Sequence, residues 1–301
     1  MSRFSLLTAT RTIEHAMPFV LYRFVVYLGM AMACLFAALA GAGTFVAFAS
    51  FTKNPSSVAS LGGLAGVVGF TYLAYKFRSS LFFNVEAGQL VLLGEQARGA
   101  KLPEGKAQID FAKQQAQTTL NPALLHEITE LSGKTARQLA NSSLGAAAGE
   151  SNPALNWLRG LVASQVSQSF LVSHFQGIHG PWEAAAHGMT LFTRHFKVLF
   201  GYATYALAFE CAGLVAAFIA LLYPANSIAG SLPVDVGPWR YFFALIFAWS
   251  VKSAFFKPIA TTALSQALGE LPEPTSLEME TLHSELSRQV PAFEEMRSRA
   301  I

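Results

Sequence analysis

Four long apolar runs dominate the chain. Phe24 to Phe51 supplies 28 residues without a charge, and Ser56 to Tyr75 supplies another 20, ended by Lys76 and Arg78. Val198 to Tyr223 is a third run, interrupted only by Glu210 and stopped by Pro224; Tyr241 to about Leu264 is a fourth, carrying Lys252, Lys257 and Pro258. A helix crossing a hydrocarbon core of roughly 30 Å needs about 20 mostly apolar residues, so each run is long enough. The pattern predicts four transmembrane helices in two hairpins. A signal peptide cleaved near Ala40 is the competing reading of the first run, but its apolar stretch exceeds the usual core of about 7–15 residues.

Between the hairpins, Leu81 to Glu183 is too polar to span and too periodic for a linker. Asn84 to Arg98, with Val85, Leu90, Val91 and Leu92, reads as a bent interfacial continuation of the second span. Asn121-Pro122 opens a segment in which Leu124, Leu125, Ile128 and Leu131 recur at helical spacing. A small-residue break from Asn141 to Asn152 follows, and Asn152-Pro153 starts a second amphipathic helix carrying Leu155, Leu158, Leu161, Val162, Val166 and Phe170 on one face. These helices are expected to pack together, the alternative being the membrane surface. Beyond the last span, Leu271-Pro-Glu-Pro breaks the chain, and Ser276 is placed to cap a helix through Leu277, Met279, Leu282 and Leu286. That tail reads as solvated and partly mobile, the alternative being a dedicated docking helix.

Composition narrows the class. Only 13% of residues are charged against 52% apolar, about half the charge of an ordinary soluble domain. Cys34 and Cys211 both lie in apolar runs, which excludes a disulfide-stapled secreted domain and a cysteine-rich zinc module. The tail from 258 onward is acidic, with three basic residues against seven acidic ones. Basic residues collect at span ends: Arg3, Arg11, Arg23, Lys76, Arg78, Arg194, Lys197 and Lys257 on one side, Lys53 and Arg240 on the other. The positive-inside bias places both termini and the middle segment in the cytoplasm, in a bacterial inner membrane, and no basic stripe suits nucleic acid. The expected fold is an all-α, polytopic integral membrane protein with four transmembrane helices and a helical cytoplasmic insertion. It divides into a membrane hairpin at 1–80, a cytoplasmic helical segment at 81–185, a second hairpin at 186–268 and an acidic cytoplasmic tail at 269–301.

Few residues suggest chemistry. A carboxylate in mid-span is costly and marks a cavity, a bundle interior or a partner, which singles out Glu210. In an antiparallel hairpin Glu210 and Lys252 lie at matching depth, roughly 18–20 Å from the connecting loop at 1.5 Å per residue, as a packing ion pair or a titratable site in a path. Lys252 snorkelling to the interface is the alternative. Glu183 and His187, one helical turn apart, are weak candidates for sharing a metal; His174, His179 and His195 lie nearby. No metal or other cofactor is expected. Ala33, Ala37 and Gly41, with Gly62 and Gly66, form small-residue stripes that allow close helix approach, between these two helices or between copies. Phosphate-loop, HExxH and nucleophile-elbow motifs are absent, so an enzyme has little support.

The stretch Gly177-Ile-His-Gly-Pro-Trp-Glu-Ala-Ala-Ala-His-Gly-Met-Thr-Leu-Phe-Thr-Arg194, with Phe247-Ala-Trp-Ser-Val-Lys-Ser-Ala-Phe-Phe, resembles the C-terminal part of choline-transporter-like membrane proteins. The resemblance is confined to the C-terminal hairpin and its approach. It implies a membrane-embedded fold and carries no catalytic or binding motif. The first functional expectation is a small transport or permeation protein working as an oligomer in the lipid bilayer, with Glu210 and Lys252 lining or gating its path. The second is a non-catalytic membrane subunit or scaffold that binds partner proteins through its cytoplasmic helices.

Overall fold

A computed structural model describes residues 4–48, 55–144, 152–231 and 237–300. Most of the small-residue break after Asn141 lies outside the described residues. All regular structure among the described residues is helical: α1 (Leu6–Glu14), α2 (Met17–Phe48), α3 (Pro55–Lys76), α4 (Arg78–Ala97), α5 (Lys106–Thr119), α6 (Pro122–Ala140), α7 (Pro153–Ser164), a 3₁₀ turn (Ser167–Leu171), α8 (Val172–Phe175), α9 (Pro181–Arg194), α10 (Phe196–Ser231), α11 (Trp239–Val251), a π segment (Lys252–Phe256), α12 (Lys257–Gly269), α13 (Ser276–Gln289) and α14 (Pro291–Ser298). Four stretches are long and apolar enough to cross a membrane: Met17–Phe48, Ser57–Lys76, Phe196–Ser231 and Trp239–Gly269.

The compact units do not follow chain order. The first comprises Met1–Phe19, Phe83–Cys211 and Phe256–Ile301, and the second Val20–Phe82 and Ala212–Phe255. The first unit has an extended core containing Ile128, Leu139, Phe170, Met189, Phe192, Leu199, Leu264 and Phe293. Local sequence starts several of its helices. The Asn121 side chain accepts from the Leu124 amide at 2.7 Å with Pro122 at the first helical turn, and Asn152 does the same for Ala154 at 3.0 Å ahead of Pro153. Both are N-cap arrangements that satisfy otherwise orphaned donors.

Several elements depart from the sequence reading. Residues 84–98 follow the second span after a break at Phe77, as α4, but Val85 and Ala87 through Gly94 are buried in the first unit. The apolar residues of this stretch are buried on several faces of the helix, and its buried polar side chain, Gln89, donates to the Pro258 carbonyl at 3.4 Å. The α7 helix stops at Ser164, so Val166 and Phe170 leave its face and enter the core through the 3₁₀ turn. Gly160, Val162 and Ala163 of α7 are buried, whereas Leu155, Trp157 and Leu158 are exposed. The third span does not stop at Pro224; α10 continues to Ser231, as apolar helices tolerate an internal proline.

The C-terminal tail differs most. Thr275, not Ser276, caps α13: its hydroxyl accepts from the Glu278 amide while the Glu278 carboxylate accepts from the Thr275 amide at 2.9 Å. The T-x-x-E spacing makes this reciprocal pairing possible. Far from being solvated, the tail buries Leu286, Val290, Phe293 and Met296 completely. Val290 breaks α13 from α14, which lets one apolar set face the core from two short helices.

In the second unit α2 and α3 approach closely. A Cβ on Gly41 would overlap the Gly62 carbonyl, one on Gly62 would overlap the Gly41 carbonyl, and one on Gly66 would overlap the Ala37 carbonyl. Glycine at these positions removes the side chains that would hold the backbones apart. Ala33, on the same helix, is half-buried.

Candidate functional site

The first unit contains an open cleft of about 820 Å³. Its walls come from distant parts of the chain: the C-terminal turn of α1 (Thr12, His15), the end of α4 (Leu93, Gln96), the 98–105 loop, Gln108 of α5, and the last turns of α12 (Thr262, Ser265, Gln266) with Glu270. The loop turns on two glycines with left-handed φ, Gly99 at +73° and Gly105 at +58°, a conformation other residues enter at a cost.

One buried side chain ties these pieces together. Gln108, 1% exposed, donates from Nε2 to the carbonyls of His15 (2.9 Å) and Pro103 (3.1 Å), and its Oε1 accepts from the Phe19 amide at 3.3 Å. It thereby supplies a donor to the His15 carbonyl, shares the Phe19 amide with the Ala16 carbonyl, which accepts from it at 3.0 Å, and fixes the loop to the junction of α1 and α2. Nearby, Gln96 Nε2 donates to the Thr12 carbonyl at 3.0 Å and Gln266 Nε2 to the Thr12 hydroxyl at 2.8 Å. Two oxygens at the cleft have no hydrogen-bond partner among the described residues, Gln96 Oε1 and Thr262 Oγ1, and Thr262 is fully buried. Native interiors leave few such groups unpaired.

The residues singled out from sequence fall elsewhere. Glu210 lies in α10 and is 2% exposed, within the first unit. Lys252 is half-buried, opens the π segment and belongs to the second unit. Neither lines the cleft. Glu183 and His187 are engaged separately: Glu183 accepts from the Gly180 amide at 3.2 Å, capping α9, and lies 3.3 Å from His179 Nδ1, while His187 Nε2 is 2.7 Å from Glu273. The amide bond to Gly180, and then His179, hold the Glu183 carboxyl below its ordinary range. Among the described residues no group of three or more His, Cys, Asp or Glu side chains could hold a metal ion.

The histidines instead help dock the tail. His283 Nε2 is 3.0 Å from the Thr190 hydroxyl, and Arg194 meets Glu278 at 3.3 Å. Burial, then the charge of Arg297, pushes His283 below its usual value; burial and Arg194 do the same for His195. Glu278 is held low by its bonds to Thr275.

Arg23 is the functional candidate that sequence reasoning passed over, since it looks like one more basic flank. In the second unit it is 1% exposed. Its Nε donates to the Ser253 carbonyl at 2.8 Å, and its guanidinium carbon sits 5.4 Å from the centre of the Tyr27 ring. Ser253 lies in the π segment, where backbone donors come from five residues on; for Ser253 that residue is Pro258, which has no N–H. The arginine supplies the donor that proline removes. Ser250 Oγ adds a bond to the Tyr27 carbonyl at 3.1 Å, and Tyr27 stacks on Phe82 and meets Trp249 edge-on. Pro258, six residues beyond Lys252 in an apolar run, was the available signal.

These features define an all-helical protein with four helices long and apolar enough to span a membrane and a helical unit containing an open cleft. No family model matches the chain, and no curated protein or solved structure is similar to it.

Proposed function

We propose that the chain is an integral membrane protein with both termini and residues 81–185 in the cytoplasm, and that it is a non-catalytic membrane subunit working by binding through its helical unit. Two observations support the topology. Basic residues collect at one set of span ends, and α1, the helices between the second and third spans and the C-terminal helices α13 and α14 belong to one compact unit, an arrangement compatible with their lying on one side of the bilayer. The observation that carries the binding reading is the cleft, pre-formed by Gln108, whose largely apolar walls carry a few amides and hydroxyls, from Gln96, Gln266, Thr12 and Thr262, and no nucleophile paired with a base.

A transport or permeation role is the second reading, favoured by the burial of Arg23 and Glu210 within candidate spans, because charges there are expensive and commonly functional. Four helices rarely enclose a path alone, so that reading requires an oligomer. Purification in mild detergent without crosslinking, followed by mass determination, separates the two. A monomer is expected for the binding subunit. A closed oligomer whose Glu210→Gln variant changes proton leak into dye-loaded vesicles overturns it in favour of a conduit.

A further inference from the structure

We infer that the cleft of the first unit binds a small organic ammonium compound, a primary amine rather than an anion; this rests on the binding reading above. A volume of about 820 Å³ is of the size that holds small organic ligands, on the order of 300–1,000 Å³. Three helices, α1, α4 and α12, bring their C-terminal turns to the cleft, two, α2 and α5, bring their first turns, and the single turn of α8 contributes both of its ends through Val172 and Gln176. Helix C-termini carry unpaired carbonyls and the negative end of the helix dipole, so the balance of helix ends favours a cation. Formal charge runs the same way: Glu104 and Glu270 line the cleft against Lys101.

The independent sign is the pair of oxygens without partners. Thr262 Oγ1 and Gln96 Oε1 are both able to accept, and neither has a donor among the described residues. An alkylammonium group brings three N–H donors and no acceptor, which complements them and the carboxylates together. A carboxylate or phosphate could accept from the Thr262 hydroxyl, but it would bring acceptors to Gln96 Oε1 and negative charge to Glu104 and Glu270. Both oxygens are closed over in the structure. The Gln96 side chain is held by one bond to the Thr12 carbonyl, and ligand binding requires that side chain to turn toward the ligand.

The test uses the full chain in detergent with three four-carbon probes: putrescine, butane-1,4-diol and succinate. Binding is read by equilibrium dialysis and by the shift in thermal unfolding. Thr262→Val keeps the side-chain shape and Glu270→Gln removes one charge at the cleft; gel filtration checks that both variants fold. Saturable putrescine binding, weakened about tenfold in each variant as expected for loss of one charge-assisted bond, supports the inference. Binding of succinate or the diol that is lost in the same variants leaves the cleft as a binding site and overturns its assignment to amines. No binding of any probe, or binding indifferent to both substitutions, overturns the binding reading as well.

Discussion

Replacing Arg23 by methionine tests the physical account of the break in the fourth apolar helix. Methionine keeps much of the aliphatic stem and removes the guanidinium. The Ser253 carbonyl, 3% exposed as a residue, then loses its 2.8 Å donor, and an unpaired buried carbonyl costs about 1–3 kcal/mol. Losing the cation over the Tyr27 ring adds about 0.5–2 kcal/mol. The expected destabilisation is about 2–4 kcal/mol, measured by reversible unfolding in mixed micelles with increasing SDS and followed by circular dichroism. The decisive step is the second substitution. Pro258→Ala restores an N–H five residues beyond Ser253, so in that background the cost of Arg23→Met should fall by about 1–2 kcal/mol. Arg23→Lys should recover little, because an ammonium lacks the planar Nε–H that reaches the carbonyl. If Arg23→Met costs under about 0.5 kcal/mol, or its cost simply adds to that of Pro258→Ala, arginine is not the substitute donor and the reasoning fails.

Three further outcomes follow from the packing and titration of the two units. Gly41→Val drives a side chain into the α3 backbone and should cost at least the ~1–3 kcal/mol of core overpacking, whereas Gly29→Ala and Gly43→Ala, which meet open space, should cost nothing; equal effects in the same micelle assay would refute the close approach. Phe293→Ala should lose about 3–5 kcal/mol and raise amide exchange across residues 276–298, while a solvated tail would exchange fast already in the wild type. His195 and His283 have folded-state values below the ordinary 6.5, so the neutral forms favour the fold. Their contribution is complete above about pH 6.5 and lost as pH falls from there toward the lowered values. Glu183 and Glu278, held below the ordinary 4.5, extend the loss at lower pH; a melting temperature flat from pH 7 to pH 4 would contradict the assignment.

Much of the fold was legible in the sequence because it depends on local pattern. Length of apolar run, helical spacing and Asn-Pro starts are properties of contiguous residues, and they located the four long helices and the beginnings of α6 and α7. Helix ends set by packing were not legible. The break after Ser164, the continuation through Pro224 and the folding of the acidic tail against the core all depend on what lies across from each residue. Leu286, Val290, Phe293 and Met296 look like an ordinary amphipathic stripe until a partner surface is known.

The candidate site separates more sharply. The sequence by itself determined that charge is scarce, that basic residues favour one set of span ends, and that small residues line α2 and α3. Only the tertiary structure decided that Thr12, Gln96, Gln108 and Thr262 meet around one cleft, because they come from segments up to 250 residues apart and no local rule couples them. It also decided that Arg23 is buried. Its role follows from a carbonyl more than two hundred residues away that a proline has left without a donor, and hydrogen-bond accounts of that kind are settled only when the chain has folded back on itself.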